Sequence, residues 1–248
     1  MRRVLVTRPS PAGEELVGRL RTLGVEAWSL PLIEFTPGRE LPYLPEYLTH
    51  LAPGDLLVAL SKQAVNFAAA ALKQAEMRWP EQVSAFAIGR ATALALHANS
   101  GLQVNYPRDR EISEVLLQLP ELQNINGKTA LILRGNGGRE LLGTVLGERG
   151  ASVRFCECYQ RNFIHYTGEE EAARWYERGI STLVVTSGEM LQQLWSLFPD
   201  WHKHHWLLRC QLIVVSERLA IQAVELGWKK IKVADNADND ALLRAITT

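Results

Sequence analysis

The chain has 248 residues, 47% of them apolar and 22% charged, with 27 basic and 27 acidic side chains that cancel. This is an ordinary soluble globular composition, long enough for two domains of about 120 residues, and the zero net charge argues against a nucleic-acid partner. No apolar run approaches the ~18 residues of a membrane span, and "VLV" after the two leading arginines is too short for a signal peptide, so a cytoplasmic protein without a membrane partner is expected.

Along the chain, short apolar runs alternate with longer stretches of helical period. The runs are Val4–Val6, Glu26–Leu30, Asp55–Leu60, Ala85–Ile88, Gln103–Tyr106, Thr129–Leu133, Ser152–Cys156, Thr182–Val185, Leu212–Val215 and Lys230–Val233. Most are continuous rather than alternating, which suits strands covered on both faces. Between them lie amphipathic segments such as "EELVGRLRTLG", where Leu16, Val17, Leu20 and Leu23 share a face and Gly24 ends the helix. Ten strands alternating with helices predict parallel α/β layers.

The chain also repeats itself at an offset of 126 residues. Arg8 falls on Arg134, and Leu16, Leu20 and Gly24 fall on Leu142, Leu146 and Gly150. Ser61 meets Ser187, Gly101 meets Gly227, and Leu116-Leu117 meet Leu242-Leu243, with a one-residue gap near Phe86–Ala93. A constant offset across five elements is more than generic βα likeness and reads as duplication. Two segments at equivalent offsets, "PLIEFTPGREL" and "CYQRNFIHYTG", run on extended after a strand instead of turning into a helix. They are expected to be connectors, at 34–37 and 158–165. One domain is then discontinuous, 1–33 plus 166–248, the other is 38–157, and a cleft between them is the expected site.

In open parallel sheets ligands bind outside the carboxyl ends of the strands. Those ends supply Thr7 and Arg8; Ser61 and Lys62; Gly89, Arg90 and Thr92; Arg134 to Gly138; Thr186 to Glu189; and Ser216 to Arg218. Five of the six carry Arg or Lys early, and all carry small residues that open a helix. Such loops offer backbone N–H groups and the positive end of a helix dipole to an anion. Ser61, Thr92, Ser187 and Ser216 are equally ordinary N-cap residues. A large polyanion is the expected ligand.

"LILRGNGGREL" (131–141) has the look of a nucleotide loop but lacks the third glycine of G-x-G-x-x-G, where Glu140 stands, and the Gly-Lys-Ser/Thr of a P-loop. In "WHKHHW" the pair His202 and His204 has metal-ligand spacing, but the segment reads as a solvated connector. The three cysteines, Cys156, Cys158 and Cys210, read as reduced packing thiols; Cys156 and Cys158 flank Glu157 on a strand and are expected not to face one small site. Tyr159, on the second connector, is a candidate proton donor, or else a packing tyrosine.

"VTRP", "IGRATALAL" (88–96), "LILRGNGGREL", "CYQR" and "VVTSGEML", in this order and spacing, resemble the uroporphyrinogen-III synthase family over essentially the whole chain. The resemblance implies two flavodoxin-like domains joined by a two-strand connector, with the active site in the interdomain cleft. It implies a lyase of tetrapyrrole (haem) biosynthesis without metal or other cofactor. The substrate implied is hydroxymethylbilane, a linear tetrapyrrole with eight carboxylates, which loses water, inverts ring D and closes to uroporphyrinogen III. Carried onto this chain, it makes Arg8, Ser61, Lys62, Gly89, Thr92, Arg134, Gly135, Ser187 and Gly188 carboxylate holders and Tyr159 an aid to hydroxyl departure. A transient contact with the upstream deaminase and a monomeric state go with it. The chain departs from the family pattern at "VSERLA", where Ser216 and Leu219 stand for glycine and threonine, and at Leu60, where threonine is common. The runner-up is a two-lobed binding protein for an organic polyanion, which shares fold and cleft but no chemistry.

Overall fold

The computed structural model describes residues 2–248. In chain order the first elements are β1 (Arg3–Val6), α1 (Ala12–Thr22), β2 (Glu26–Ser29), β3 (Ile33–Pro37) and α2 (Leu44–Thr49). Next come β4 (Leu56–Ala59), α3 (Lys62–Gln74), β5 (Ser84–Ala87), α4 (Arg90–Ser100), β6 (Val104–Asn105) and α5 (Ser113–Leu116). They are followed by β7 (Thr129–Gly135), α6 (Leu141–Glu148), β8 (Ser152–Phe163), α7 (Gly168–Glu177), β9 (Thr182–Val184) and α8 (Gly188–Leu197). The last are α9 (Asp200–His205), β10 (Gln211–Val214), α10 (Glu217–Leu226), β11 (Ile231–Val233) and α11 (Asn239–Thr247). All ten sequence-derived strands are present. The two extended segments are extended here too, as β3 and as a β8 that runs on to Phe163.

The chain divides into two compact units. One runs through Phe35 and resumes at Asn162–Thr248; the other is Thr36–Arg161. The boundaries fall within β3 and β8. The first unit holds the sheet β11-β10-β9-β1-β2, in which every neighbouring pair is parallel. The second holds the sheet β3-β8-β7-β4-β5-β6, parallel from β8 to β6. Counted from the central strands β1 and β7, both follow the doubly wound order 2-1-3-4-5.

The duplication is visible strand by strand. Arg3 and Thr129 begin β1 and β7; Glu26 and Ser152 begin β2 and β8; Leu56 and Thr182 begin β4 and β9. The slip of one residue enters before β5, since Ser84 corresponds to Gln211, and is undone within α4, which is one residue longer than α10. By Gly101 and Gly227, both left-handed after their helices, the offset of 126 has returned.

Burial follows the predicted two-sided pattern. Val4 and Val6 pack with Leu16, Leu20, Leu242 and Ile246 on one face of the first sheet, while Leu5 packs with Trp175, Leu191 and Val214 on the other. In the second sheet Ala130 and Ile132 join Leu142 and Leu146, and Leu131 and Leu133 join Val65 and Leu72. Each fully buried leucine or valine contributes about 1.5–3 kcal/mol relative to exposure, so these strands cannot shift register without large loss.

A side chain fixes the start of each central strand. The Asp55 carboxylate accepts the N–H of Thr129 at 2.9 Å and of Ala52 at 2.7 Å. In the other unit Ser181, its repeat equivalent, accepts the N–H of Arg3 at 3.1 Å. Asp55 is buried, so an alanine there strands two backbone donors. We expect Asp55→Ala to lower stability by about 2–4 kcal/mol in urea denaturation; a change under about 0.5 kcal/mol would mean that the strand ladder alone holds β4 to β7.

Candidate active site

The sheet order places a topological switch point between β7 and β4, and a hollow of about 300 Å³ opens there. Its lining includes Leu60, Ser61, Gly135, Asn136, Tyr159 and Arg161. Ser61 takes extended backbone angles and caps α3, its Oγ accepting the Ala64 N–H at 3.1 Å. The same hydroxyl donates to the Tyr159 phenol oxygen at 3.2 Å. The Tyr159 ring stacks on Phe67 of α3, with centroids 5.9 Å apart. A β-carbon on Gly135 would lie 2.5 Å from a ring carbon of Tyr159 and 2.9 Å from its hydroxyl, so only glycine lets the ring rest there.

Tyr159 reaches this face through a β-bulge. The β7/β8 ladder runs in step from Thr129 opposite Ser152 to Arg134 opposite Glu157, then slips so that Gly135 faces Tyr159. The extra residue is Cys158. Strict alternation would send Tyr159 to the face of Val153 and Phe155; the bulge turns it to the face of Cys156, Cys158 and α3. Cys156 and Cys158 also lie on one face, independently of the bulge, with sulfurs 3.8 Å apart, against the expectation that they would not face one site. Residues two apart on a strand share a face. Both thiols are buried, and the neighbouring Cys156 together with desolvation pushes the Cys158 thiol far above its ordinary value.

Several predicted anion-binding side chains are engaged internally. Thr7 is wholly buried and donates its hydroxyl to the Val184 carbonyl at 2.7 Å, so it has no surface to offer a ligand. Arg8 bonds Asn239 at 2.5 Å, and burial lowers its pKa, partly offset by Asp238 and Glu15. Arg8 is half-buried, and its repeat partner Arg134 is buried. It lies over Phe155, pairs with Glu140 at 3.1 Å and donates to the Gly137 carbonyl. Both arginines therefore brace their own surroundings. Gly137, at φ +87°, takes the left-handed turn that brings its carbonyl to Arg134.

The remaining loops open helices. Ser187 caps α8 through the Met190 N–H at 3.2 Å, and Ser216 caps α10 through Leu219 at the same distance. Thr186 lies beside Met190, its hydroxyl 3.5 Å from the sulfur. Gly188 leaves room for Gln222, whose Oε1 would be 2.6 Å from an added β-carbon. Thr92, predicted as a cap, instead lies buried in the first turn of α4, and Gly89 occupies the cap position. Lys62 and Arg90 are exposed at the first positions of α3 and α4.

Sequence reasoning missed Glu111. Its carboxylate accepts the Arg90 N–H at 2.8 Å and fills the space a Gly89 side chain would need. A carboxylate of the protein thus occupies the N-terminus of α4, the end with no side-chain cap of its own. Nothing in the spacing of "RDREISE" marks this, because the bond spans a loop rather than a periodic element.

The "WHKHHW" segment is a short helix rather than a loop, with Trp201 stacked on His205 at 4.7 Å and Trp206 buried. Among the described residues no three His, Cys, Asp or Glu side chains are grouped to hold a metal ion. No described helix is long and apolar enough to cross a membrane.

The family model described as uroporphyrinogen-III synthase HemD matches residues 14–244. The uroporphyrinogen-III synthase of Escherichia coli K12 is 68% identical over 243 residues, covering 98% of this chain and 99% of that protein. That of Proteus mirabilis is 47% identical over 193 residues, covering 78% and 97%. Among solved structures, a mutant uroporphyrinogen III synthase from Thermus thermophilus superposes with a TM-score of 0.62 at 20% identity, covering 100% of this chain and 99% of the other. The Helicobacter pylori protein gives 0.55 at 19%, with the same coverage. At these identities the structures speak for the fold alone.

The contact between Gly135 and Tyr159 yields a direct test. Gly135→Ala must displace the ring from Phe67; with Tyr159 as the expected aid to catalysis, we expect turnover to drop at least about tenfold while the protein stays folded, since a 1 Å misplacement costs up to about 100-fold. Wild-type turnover with an unmoved near-ultraviolet tyrosine signal would show that the ring tolerates the methyl group.

Proposed function

The chain belongs to the uroporphyrinogen-III synthase family, cyclizing lyases of tetrapyrrole biosynthesis, and from that premise we propose how its residues carry the reaction. Family membership sets aside the non-catalytic polyanion carrier. The substrate is a linear tetrapyrrole, hydroxymethylbilane. Its eight carboxylates call for many weak anion contacts rather than one strong one.

Those contacts are assigned to the helix starts. The first N–H groups of α3, α4, α8 and α10 have no acceptor within their helices, and each lies at the positive end of a dipole. We assign carboxylate binding to Ser61, Lys62, Gly89, Arg90, Gly135, Thr186, Ser187, Gly188 and Ser216, with the backbone as the main donor. Arg8, Arg134, Thr7 and Thr92 support these loops from within, because their side chains are engaged or buried. A hydrogen bond to a carboxylate contributes roughly 1.5–3 kcal/mol before desolvation. Several together fix the shape of a flexible chain even if no single one is indispensable.

The chemistry then needs little from side chains. The C–O bond on the ring A carbon breaks, its electron pair leaving with oxygen, which takes a proton and departs as water. An electron-deficient azafulvene remains. A ring D pyrrole carbon attacks it to form a spirocycle, which reopens, inverts ring D and recloses to uroporphyrinogen III. Unassisted closure gives the symmetrical isomer, so holding the pyrroles in the productive arrangement is most of the catalysis. Tyr159 is assigned the proton donation. The observation that carries this is the phenol's position at the β7/β4 switch point, fixed by Ser61, Phe67 and Gly135. A cytoplasmic location, supported by three unpaired cysteines, and a transient contact with the deaminase that supplies so labile a substrate complete the reading.

Two measurements test it. With hydroxymethylbilane generated in situ and isomers I and III separated, Tyr159→Phe should slow turnover roughly 10- to 100-fold with the type III product retained; unchanged kcat at saturation would remove Tyr159 from the chemistry. If a substrate carboxylate takes the α4 terminus, it displaces Glu111, so Glu111→Ala should lower KM about threefold to fivefold, the equivalent of roughly 1 kcal/mol. The same KM change in Glu114→Ala, an exposed carboxylate paired with Arg139, would reduce the effect to general charge.

A further inference from the structure

We infer that Asn136 is the positioning residue that holds Tyr159 in place, an inference that rests on the assignment of Tyr159 above. β7 ends at Gly135, immediately after the bulge has turned Tyr159 toward α3. Beyond Gly135 the regular β7 ladder ends, and the backbone groups of β8 that face β7 need other acceptors and donors there. Asn136 supplies one of each. Its N–H donates to the Tyr159 carbonyl at 3.0 Å, and its side-chain Oδ1 accepts the Arg161 N–H at 2.7 Å. The amide oxygen thus stands where the carbonyl of a continuing β7 would have stood. The two bonds bracket the peptide units on either side of Gln160 and pin the backbone from which the phenol projects.

The pinning complements the contacts at the far end of the ring: Phe67 beside it, Gly135 beneath it and Ser61 at the hydroxyl. The strand that carries it is supported from the β3 side as well, where the Gly38 N–H donates to the Cys158 carbonyl at 3.0 Å, and Asn136 supplies the bonds on the β7 side. The duplication supplies an internal comparison. The residues equivalent to Asn136 and Tyr159 in the other repeat are Ser10 and Ile33, which carry neither the amide nor the phenol. Latch and phenol occur together, in one repeat only. Asn136 is exposed and sits in a loop whose arginine and glycines already shape the turn, so packing does not account for an asparagine there.

Four variants test the inference in the in-situ bilane assay, with thermal unfolding used to confirm that each is folded at the assay temperature. Asn136→Ala should lower kcat about tenfold and leave KM within about twofold. Asn136→Asp keeps the side-chain acceptor and should recover kcat to within about threefold, while its added charge raises KM for a polycarboxylate. In the Tyr159→Phe background, Asn136→Ala should add almost nothing, because the residue acts through the phenol. If Asn136→Ala does not fold, Asn136→Ser takes its place with the same expectations. Three results overturn the inference: wild-type kcat in the folded Asn136→Ala protein, a full multiplicative loss in the double variant, or a raised KM with unchanged kcat, which would make Asn136 a direct carboxylate contact. Wild-type kcat in Tyr159→Phe would overturn the tyrosine assignment and this inference together. A slow Tyr159→Phe beside a normal Asn136→Ala overturns only this one.

Discussion

Everything in this fold depends on two strand pairings between distant parts of the chain, β1 with β9 and β7 with β4. Val4 lies opposite Thr182, and Leu56 opposite Ala130. Each pairing joins a strand of one repeat to a strand of the other, since β1, β2, β4, β5 and β6 belong to the first copy and β7 to β11, with β8 among them, to the second. Apart from β3, which is added at the edge of the second sheet, each sheet therefore takes its central strand and one neighbour from one copy and three strands from the other. The duplication is swapped. A chain built this way has to pass between its two units twice, which accounts for β3 and the long β8 as extended segments. It also makes the central contacts highly non-local, the topology that folds slowly because long loops must close before burial rewards them.

The same two pairings create the switch points. In the 2-1-3-4-5 order the connections leave the central strand in opposite directions, and the loops after β1 and β9, or after β7 and β4, separate there. The hollow beside Ser61, Gly135 and Tyr159 is the consequence in one unit. The arginines at these strand ends, Arg8 and Arg134, are not presented as cations to the solvent side. They tie the loop after the central strand to Asn239 in one case and to Gly137 and Glu140 in the other. The glycine-rich turn that resembles a phosphate loop is thus filled by the protein's own guanidinium. What it leaves open is the narrow floor at Gly135, and a tyrosine rests on it.

The sequence made the architecture legible because its signals are periodic. Buried strands such as "LLVA" and "ALIL" are continuous apolar runs, and a constant offset carries the landmarks of one copy onto the other. Which loops reach the carboxyl edge follows from the same pattern. Which side chains of those loops face a ligand does not. Thr7 and Arg134 look available in one dimension, yet the hydroxyl of Thr7 is used by the neighbouring strand and Arg134 by its own turn. The bulge at Cys158 is equally silent, since a single extra residue leaves no trace in composition while reversing the face of every residue after it. Glu111 is hidden for a third reason: it acts across a loop, on the backbone of a residue 21 positions earlier.

The divergence between the copies after β5 and β10 has a physical reading of its own. At the start of α10 the cap is Ser216, whose hydroxyl satisfies the Leu219 N–H, and the residue equivalent to Glu111 is Ala237. At the start of α4 the cap is Gly89, which has no side chain to offer, and the Arg90 N–H is met by Glu111 from outside the helix. One terminus uses its own side chain for its third N–H; at the other a carboxylate from elsewhere takes the first. Substituting serine for glycine at 216 therefore does more than alter a motif. It satisfies the third N–H of α10, whereas Glu111 meets the first N–H of α4, so the two ends differ in which donor is already taken. A glycine cap with an exchangeable carboxylate is the more receptive arrangement, because the acid that keeps the donor satisfied before binding is exposed and held by a single bond. Under the proposed assignment of carboxylate binding to helix starts, α4 is then the more receptive of two helices that occupy equivalent places in the repeat.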